Sequence, residues 1–268
     1  RMTRIWTPRP GPLHAEDSGD RSDSDRLVLL HGFTQTRISW NSFIDQLDAK
    51  RSVCRIDAPG HGLSPALDEP IDSVARKVVQ SGGPGTYVGY SMGARILIHA
   101  AVDATTLVEP SDVRRLVLIG GTAGLEQESE RQARRESDQA LARSIERDGV
   151  PAFLEGWLRQ PMFADLPTDD VELAARRANS VRGLVSSLTW CGVGVQESLW
   201  NRLASITVPT LIIAGSRDAK FTEIGVRMTA AIGANATFAP IEGAGHAVQL
   251  EKPREVAHLI QSWIDARD

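Results

Sequence analysis

Ser91, Asp218 and His246 each stand in a loop directly after an apolar, β-prone run. Ser91 is the centre of Gly89-Tyr90-Ser91-Met92-Gly93, which follows Thr86-Tyr87-Val88 and precedes a helix-like stretch at 94–101. That strand–turn–helix context exposes a serine hydroxyl beside the N–H groups of a helix start. Asp218 follows the apolar run 210–214, and His246 closes Gly243-Ala244-Gly245-His246 after a shorter run at 237–239. A serine Oγ is a poor nucleophile or base until an imidazole takes its proton. A carboxylate then fixes the useful tautomer and stabilises the imidazolium. The run 27–30 ends at His31-Gly32, so the Phe33 N–H is expected to join that of Met92 as a pair of oxyanion donors.

The elements that must position these groups alternate. Continuous apolar runs at 27–30, 52–56, 115–119 and 210–214 have the pattern of parallel strands buried on both faces. Helical patterns fall at 39–47, 72–79 and 253–264, which predicts an α/β fold with a mostly parallel central sheet flanked by helices. An edge hairpin is expected from 3–6 and 13–15, and 17–25 has the character of an exposed loop. Between 124 and 203 the alternation stops and only helical patterns remain. The expected organisation is a core of 1–123 and 204–268 with a helical cap, 124–203, over the C-terminal edge of the sheet.

Composition excludes other classes. A chain of 268 residues with net charge -4 has no basic surface for nucleic acid or anionic lipid. No apolar run is long enough to span a bilayer. Two cysteines, Cys54 and Cys191, make no disulfide framework and fit a reducing cytoplasm. No cluster has metal-ligand spacing and no phosphate loop occurs, so no metal or cofactor is expected. Asp57 precedes Ser91 and reads as a structural turn within Asp57-Ala58-Pro59-Gly60-His61-Gly62, with His31 and His61 structural too. His14, His99 and His258 belong to no constellation.

Arginines suggest the substrate. Arg131, Arg134, Asp138, Leu141 and Ile145 recur at spacings of three or four and share one helix face. Its apolar end should point inward, which would turn Arg131 and Arg134 toward the pocket. Arg95 lies one turn beyond Ser91. Arg176 and Arg177 sit on a second cap helix, and periodicity leaves open which of them faces the cavity. Several guanidinium forks over one pocket imply a small polycarboxylate substrate.

At these residues the chain resembles the 2-succinyl-6-hydroxy-2,4-cyclohexadiene-1-carboxylate synthases of menaquinone biosynthesis, enzymes of the α/β-hydrolase fold. The similar stretches include Leu30-His31-Gly32-Phe33-Thr34 with Trp40, Gly89 to Arg95, Gly120-Gly121 with Gly124-Leu125, and the Glu/Arg/Gln-rich helix that follows. Trp157-x-x-Gln160-Pro161-x-Phe163, Arg177-x-Asn179 and Arg217-Asp218-x-Lys220-Phe221 complete them. The resemblance implies a lyase that abstracts a proton beside a succinyl ketone and eliminates pyruvate. It also implies a triad of Ser91, Asp218 and His246, and substrate binding by Tyr90, Arg95, Arg134, Trp157 and Arg177. The chain departs from the family pattern at Ala123, where proline is common, and at Gln249, where a second histidine is common.

Two other functions compete: a serine esterase, thioesterase or C–C bond hydrolase working through an acyl-enzyme at Ser91, and a binding protein that keeps the fold without catalysis. The first predicts covalent labelling of Ser91 in the natural reaction. The second predicts no activity for Ser91→Ala to remove. A monomer or small homo-oligomer is expected.

Overall fold

The computed structural model describes residues 4–23, 25–102, 112–167 and 169–267. Strands β1 (Thr7–Arg9), β2 (Ala15–Ser18), β3 (Leu27–Leu30), β4 (Val53–Ile56), β5 (Gly85–Tyr90), β6 (Val113–Ile119), β7 (Thr210–Gly215) and β8 (Ala236–Ile241) form one sheet. Their order is β1-β2-β4-β3-β5-β6-β7-β8, and every pairing from β4 to β8 is parallel.

The apolar runs of β3, β5 and β7 are buried along their whole length, because helices cover both faces. Alternation along each strand divides the core in two. Val28, Leu30, Leu116 and Leu118 face one layer; Leu27, Leu29, Val117 and Ile119 face the other. The short helix α1 (Asn41–Ile44) sends Phe43 into the second layer. Helices α2 (Ile71–Gly82) and α3 (Met92–Val102) cover the first through Val74, Val78, Ile96 and Leu97.

Between β6 and β7 the described residues contain helices only: α4 (Glu128–Leu158), α5 (Asp170–Arg177), α6 (Val181–Cys191) and short 3-10 turns. Gly149, at φ 75 and ψ 166 with Pro151 two residues on, kinks α4. Beyond the kink Phe153 and Leu154 pack with Ile145, Leu184 and Leu188 into a third, smaller core. Phe33 touches both this cluster and the first layer, so the helical segment and the sheet share a residue at the site. Gly183 of α6 rests directly on Gly60: a Cβ built on Gly183 would lie 2.0 Å from the Gly60 carbonyl oxygen. After β7 come α7 (Ala219–Ile232), α8 (Val248–Glu251) and α9 (Pro253–Asp265). Val256, Ile260 and Trp263 of α9 close the second layer.

Three local expectations need correction. The N-terminal hairpin pairs Thr7–Arg9 with 15–17, later than expected, and Thr3 lies outside the described residues. Asp17 is not in an exposed loop. It is buried in β2, where Arg9, Arg21 and Arg26 neutralise it. The helix expected over 39–47 is a 3-10 turn, Arg37–Trp40, running into α1, with Thr36 as its N-cap.

Candidate active site

β5 ends in a turn that only the flanking glycines allow. A Cβ on Gly93 would lie 2.3 Å from the Leu30 carbonyl oxygen, and one on Gly89 would lie 2.7 Å from the Ala94 nitrogen. Ser91 has φ 50, a left-handed conformation held by Ser91 N–H donating to Ile119 O at 2.8 Å and by Arg95 N–H donating to Ser91 O at 3.1 Å. Such a backbone costs on the order of 1–3 kcal/mol and lifts the side chain clear of the sheet. Helix α3 begins at Met92, with its first N–H groups at the elbow.

The loops after β7 and β8 bring the other two groups to Ser91. Asp218 caps α7, its Oδ1 accepting from Phe221 N–H at 3.2 Å, while its Oδ2 lies 2.7 Å from His246 Nδ1. His246 Nε2 lies 3.4 Å from Ser91 Oγ. Phe221 (ring centroids 4.5 Å apart) and Tyr90 (5.4 Å) flank the imidazole. Glu251 clamps the loop on both sides of it, accepting from Gly245 N–H at 2.6 Å and Ala247 N–H at 3.1 Å. The arrangement can take a proton from Ser91, or through it from a bound ligand, and hold the charge on the imidazole.

A cavity of about 360 Å³ opens over Ser91. Tyr90, Ser91, Met92, Arg95 and His246 form its floor; Phe33, Arg134, Trp157 and Arg176 stand above. Four cations line it (Arg95, Arg134, Arg176 and Lys220), and among the described residues no carboxylate does. Arg134 pairs with Asp138 at 2.8 Å and Arg176 with Glu172 behind the cavity wall. Among the described residues the Arg95 guanidinium hydrogen-bonds to a neutral group, Gln196 Oε1, at 2.6 Å. Burial pulls its guanidinium down to about 10, and the Arg134 charge acts in the same direction. Two of the four cations are thus paired from behind, while Arg95 has no acidic hydrogen-bond partner, which leaves the cavity positive charge to offer a polyanion. Trp157 meets Phe33 edge to face, with centroids 5.3 Å apart. Cys191 also lines the cavity. Burial pushes its thiol up to about 11, so it stays protonated.

Two arginine expectations fail. Arg131 does not reach the cavity. It lies about 10 Å along α4 from Asp138 by helical rise, and its guanidinium binds Glu128 and the carbonyls of Leu125 and Glu126. Arg177, favoured by the resemblance, is exposed, whereas Arg176 is 2% exposed and lines the cavity. One residue is 100° of helix. The face that carries Glu172 four residues earlier turns inward with Arg176 and leaves Arg177 in solvent. That i,i+4 Glu–Arg spacing was the signal that could have separated them. Gln35, Gln160 and Ser187 also line the cavity; Gln160 stands in the family-like stretch 157–163, and no spacing marks Gln35 or Ser187 in the sequence. Ala123 is fully buried. Gln249 is 1% exposed, with its Oε1 buried and without a hydrogen-bond partner.

His31 and His61 fasten the loops beneath Phe33. His31 Nε2 accepts from Ala58 N–H at 2.9 Å, and His61 Nε2 accepts from Thr34 N–H at 3.3 Å. Their Nδ1 atoms lie 2.8 Å and 2.9 Å from the Gly32 and Pro59 carbonyls, which assigns the proton to Nδ1 in both. Burial lowers His31 to about 4 and His61 to about 3 from the ordinary 6.5. A depressed folded pKa means the neutral ring stabilises the fold fully above pH 6.5. That contribution disappears as pH falls through the folded values. Stability should therefore decline by a few kcal/mol between pH 6.5 and 3. Urea midpoints against pH check this. The His61→Asn variant should be weaker at pH 7 and flatter over that interval, and an equally steep profile would contradict the assignment.

Comparison with known proteins places these features. Residues 27–259 match the profile described as "Alpha/beta hydrolase family". The 2-succinyl-6-hydroxy-2,4-cyclohexadiene-1-carboxylate synthase of Citrobacter koseri is 31% identical over 91% of this chain and 95% of its own. A Bacillus subtilis protein that carries the same synthase name provisionally is 32% identical over 90% of each chain. Among solved structures, MenH from S. aureus superposes with a TM-score of 0.83 at 27% identity, covering 94% of this chain and 98% of that one.

Proposed function

The chain belongs to the alpha/beta hydrolase family and, within it, to the 2-succinyl-6-hydroxy-2,4-cyclohexadiene-1-carboxylate synthases; from that premise we propose that it eliminates pyruvate from 2-succinyl-5-enolpyruvyl-6-hydroxy-3-cyclohexene-1-carboxylate in menaquinone biosynthesis. The observation that carries this reading is the cavity lining: among the described residues four cations and no carboxylate line the cavity into which the chain Asp218–His246–Ser91 opens. Arg95, Arg134, Arg176 and Lys220 hold the substrate carboxylates. Ser91, with His246 as the proton store, removes the proton from the carbon next to the succinyl ketone. The Phe33 and Met92 N–H groups receive the enolate oxygen. The electron pair then moves through the ring double bond and breaks the bond to the enolpyruvyl oxygen. The conjugated diene forms, and the proton held on His246 returns to the leaving group, which departs as pyruvate. No helix of the described residues is long and apolar enough to cross a membrane, and a cytoplasmic site of action fits this chemistry.

The test supplies the protein with the enolpyruvyl substrate and follows pyruvate. A rate no faster than without protein sinks the reading. The acyl-enzyme alternative has less support, because three guanidiniums and an ammonium stand among the apolar walls of the cavity, and a neutral acyl group has no use for them. Covalent labelling of Ser91 during the natural reaction would favour it.

Gln196→Glu probes the cations without touching the relay. A carboxylate 2.6 Å from Arg95 would neutralise the one cavity arginine that lacks an acidic hydrogen-bond partner. KM should rise about tenfold with kcat little changed, the cost of one charge pairing inside the wall. An unchanged KM would remove Arg95 from substrate binding.

A further inference from the structure

Thr34, next to the Phe33 amide, has φ 67. A β-branched residue is disfavoured in that conformation and persists only where its surroundings hold it. Each polar group of Thr34 has a partner. Its N–H donates to His61 Nε2 at 3.3 Å. Its hydroxyl accepts from Arg176 Nη1 at 3.2 Å, and its carbonyl accepts from Asn179 Nδ2 at 2.8 Å. His61 belongs to the loop after β4. The other two stand at the end of α5 and just beyond it, in the helical segment. Asn179 is 5% exposed and does not line the cavity. Its Oδ1 accepts from Gly62 N–H at 2.8 Å, so one amide side chain ties both loops of the sheet edge to the helical segment.

We infer that Asn179 is a positioning residue that sets the Phe33 N–H from the helical segment, so that the oxyanion donors are complete only while the end of α5 is seated on Thr34. The inference rests on the reading that Phe33 N–H receives the enolate oxygen. Arg176 gives the coupling a direction. The same guanidinium lines the cavity and holds the Thr34 hydroxyl, so drawing in a substrate carboxylate and steadying the oxyanion loop are one event. A donor displaced by about 1 Å is enough to lose on the order of a hundredfold in rate.

The test is Asn179→Asp, which keeps the acceptor for Gly62 and the side-chain shape but removes the donor to Thr34. Asn179→Ala, which removes both, is the companion. In Asn179→Asp kcat for pyruvate release should fall by at least about tenfold, with KM within about twofold, because Asn179 does not touch the cavity. Hydrogen exchange at the Thr34 amide, measured in the resting protein, should quicken by a similar factor. This second readout needs no turnover. An absence of pyruvate with the unsubstituted protein therefore refutes the proposed reaction, while exchange still judges the pin. Unchanged Thr34 exchange, an unchanged kcat, or a loss confined to KM overturns the inference.

Discussion

Ser91→Ala is expected to lower pyruvate release at least about a thousandfold while leaving substrate affinity within a few fold. Among the described residues the hydrogen-bond partner of His246 Nε2 is Ser91 Oγ, at 3.4 Å, and its other nitrogen is committed to Asp218 at 2.7 Å. Removing Oγ leaves the imidazole beside the cavity with nothing to pass the proton through. Affinity should survive because the groups suited to carboxylates are the side chains of Arg95, Arg134, Arg176 and Lys220, and the guanidiniums of the three arginines bond to Gln196, Asp138 and Glu172 rather than to the Ser91 hydroxyl. His246→Ala should cost about as much, and the double variant little more, since residues that act as a unit do not lose rate additively. Single-turnover rates and direct titration of a bound tricarboxylate separate the two effects. If Ser91→Ala keeps more than about a tenth of the rate, His246 must reach the substrate by itself and the serine is no relay.

Arg176→Ala should reduce kcat/KM by roughly a hundredfold or more, and Arg177→Ala by less than about twofold. Arg176 contributes three interactions at once: the cavity wall, the ion pair with Glu172, and the hydroxyl of Thr34. Its loss also leaves Glu172, 12% exposed, with Ser39 as its remaining side-chain hydrogen-bond donor, at 2.6 Å. Breaking a buried pair in this way costs about 3–5 kcal/mol, so the melting temperature should drop as well. Glu172→Gln discriminates between the two losses. It removes the buried charge pair but keeps Arg176 at the wall, and should lose stability with most of kcat/KM retained. Arg177 is solvent-exposed, and surface substitutions of that kind stay within about 0.5 kcal/mol. Equal damage from both arginine variants would return the role to Arg177.

The pair also marks where sequence ceases to be sufficient. β3 and β7 are legible in the chain because a strand buried on both faces must be apolar throughout, and Leu27–Leu30 and Thr210–Gly215 are. Ser91, Asp218 and His246 are legible for a related reason: each is the residue a sheet edge would expose just after such a run. α5 offers no equivalent. It has eight residues, four of them charged, and its inward face is defined by one ion pair and a threonine far off in sequence. The motif Arg177-x-Asn179 favours the neighbour of the residue that lines the cavity, and on a helix one residue is enough to reverse inside and outside. Arg131 fails differently: its face was right, but distance along the axis, not direction, removed it from the cavity. Asp17 misled because an acidic stretch normally signals solvent, and here three arginines gather around one carboxylate of a strand paired on both sides.

The contact between Gly183 and Gly60 sets limits on redesign. With the two backbones touching, there is no side chain there to shorten, so the roof over Ser91 cannot be lowered to grip a smaller acid. Adding even a methyl group at Gly183 would drive it into the Gly60 carbonyl and lift α6, and the neighbouring Asn179–Gly62 bond would stretch with it. Attempts to change which anions this scaffold accepts therefore belong on the far wall, at Leu141, Met162 or Ile224, where side chains face the cavity and can be exchanged without moving the seam.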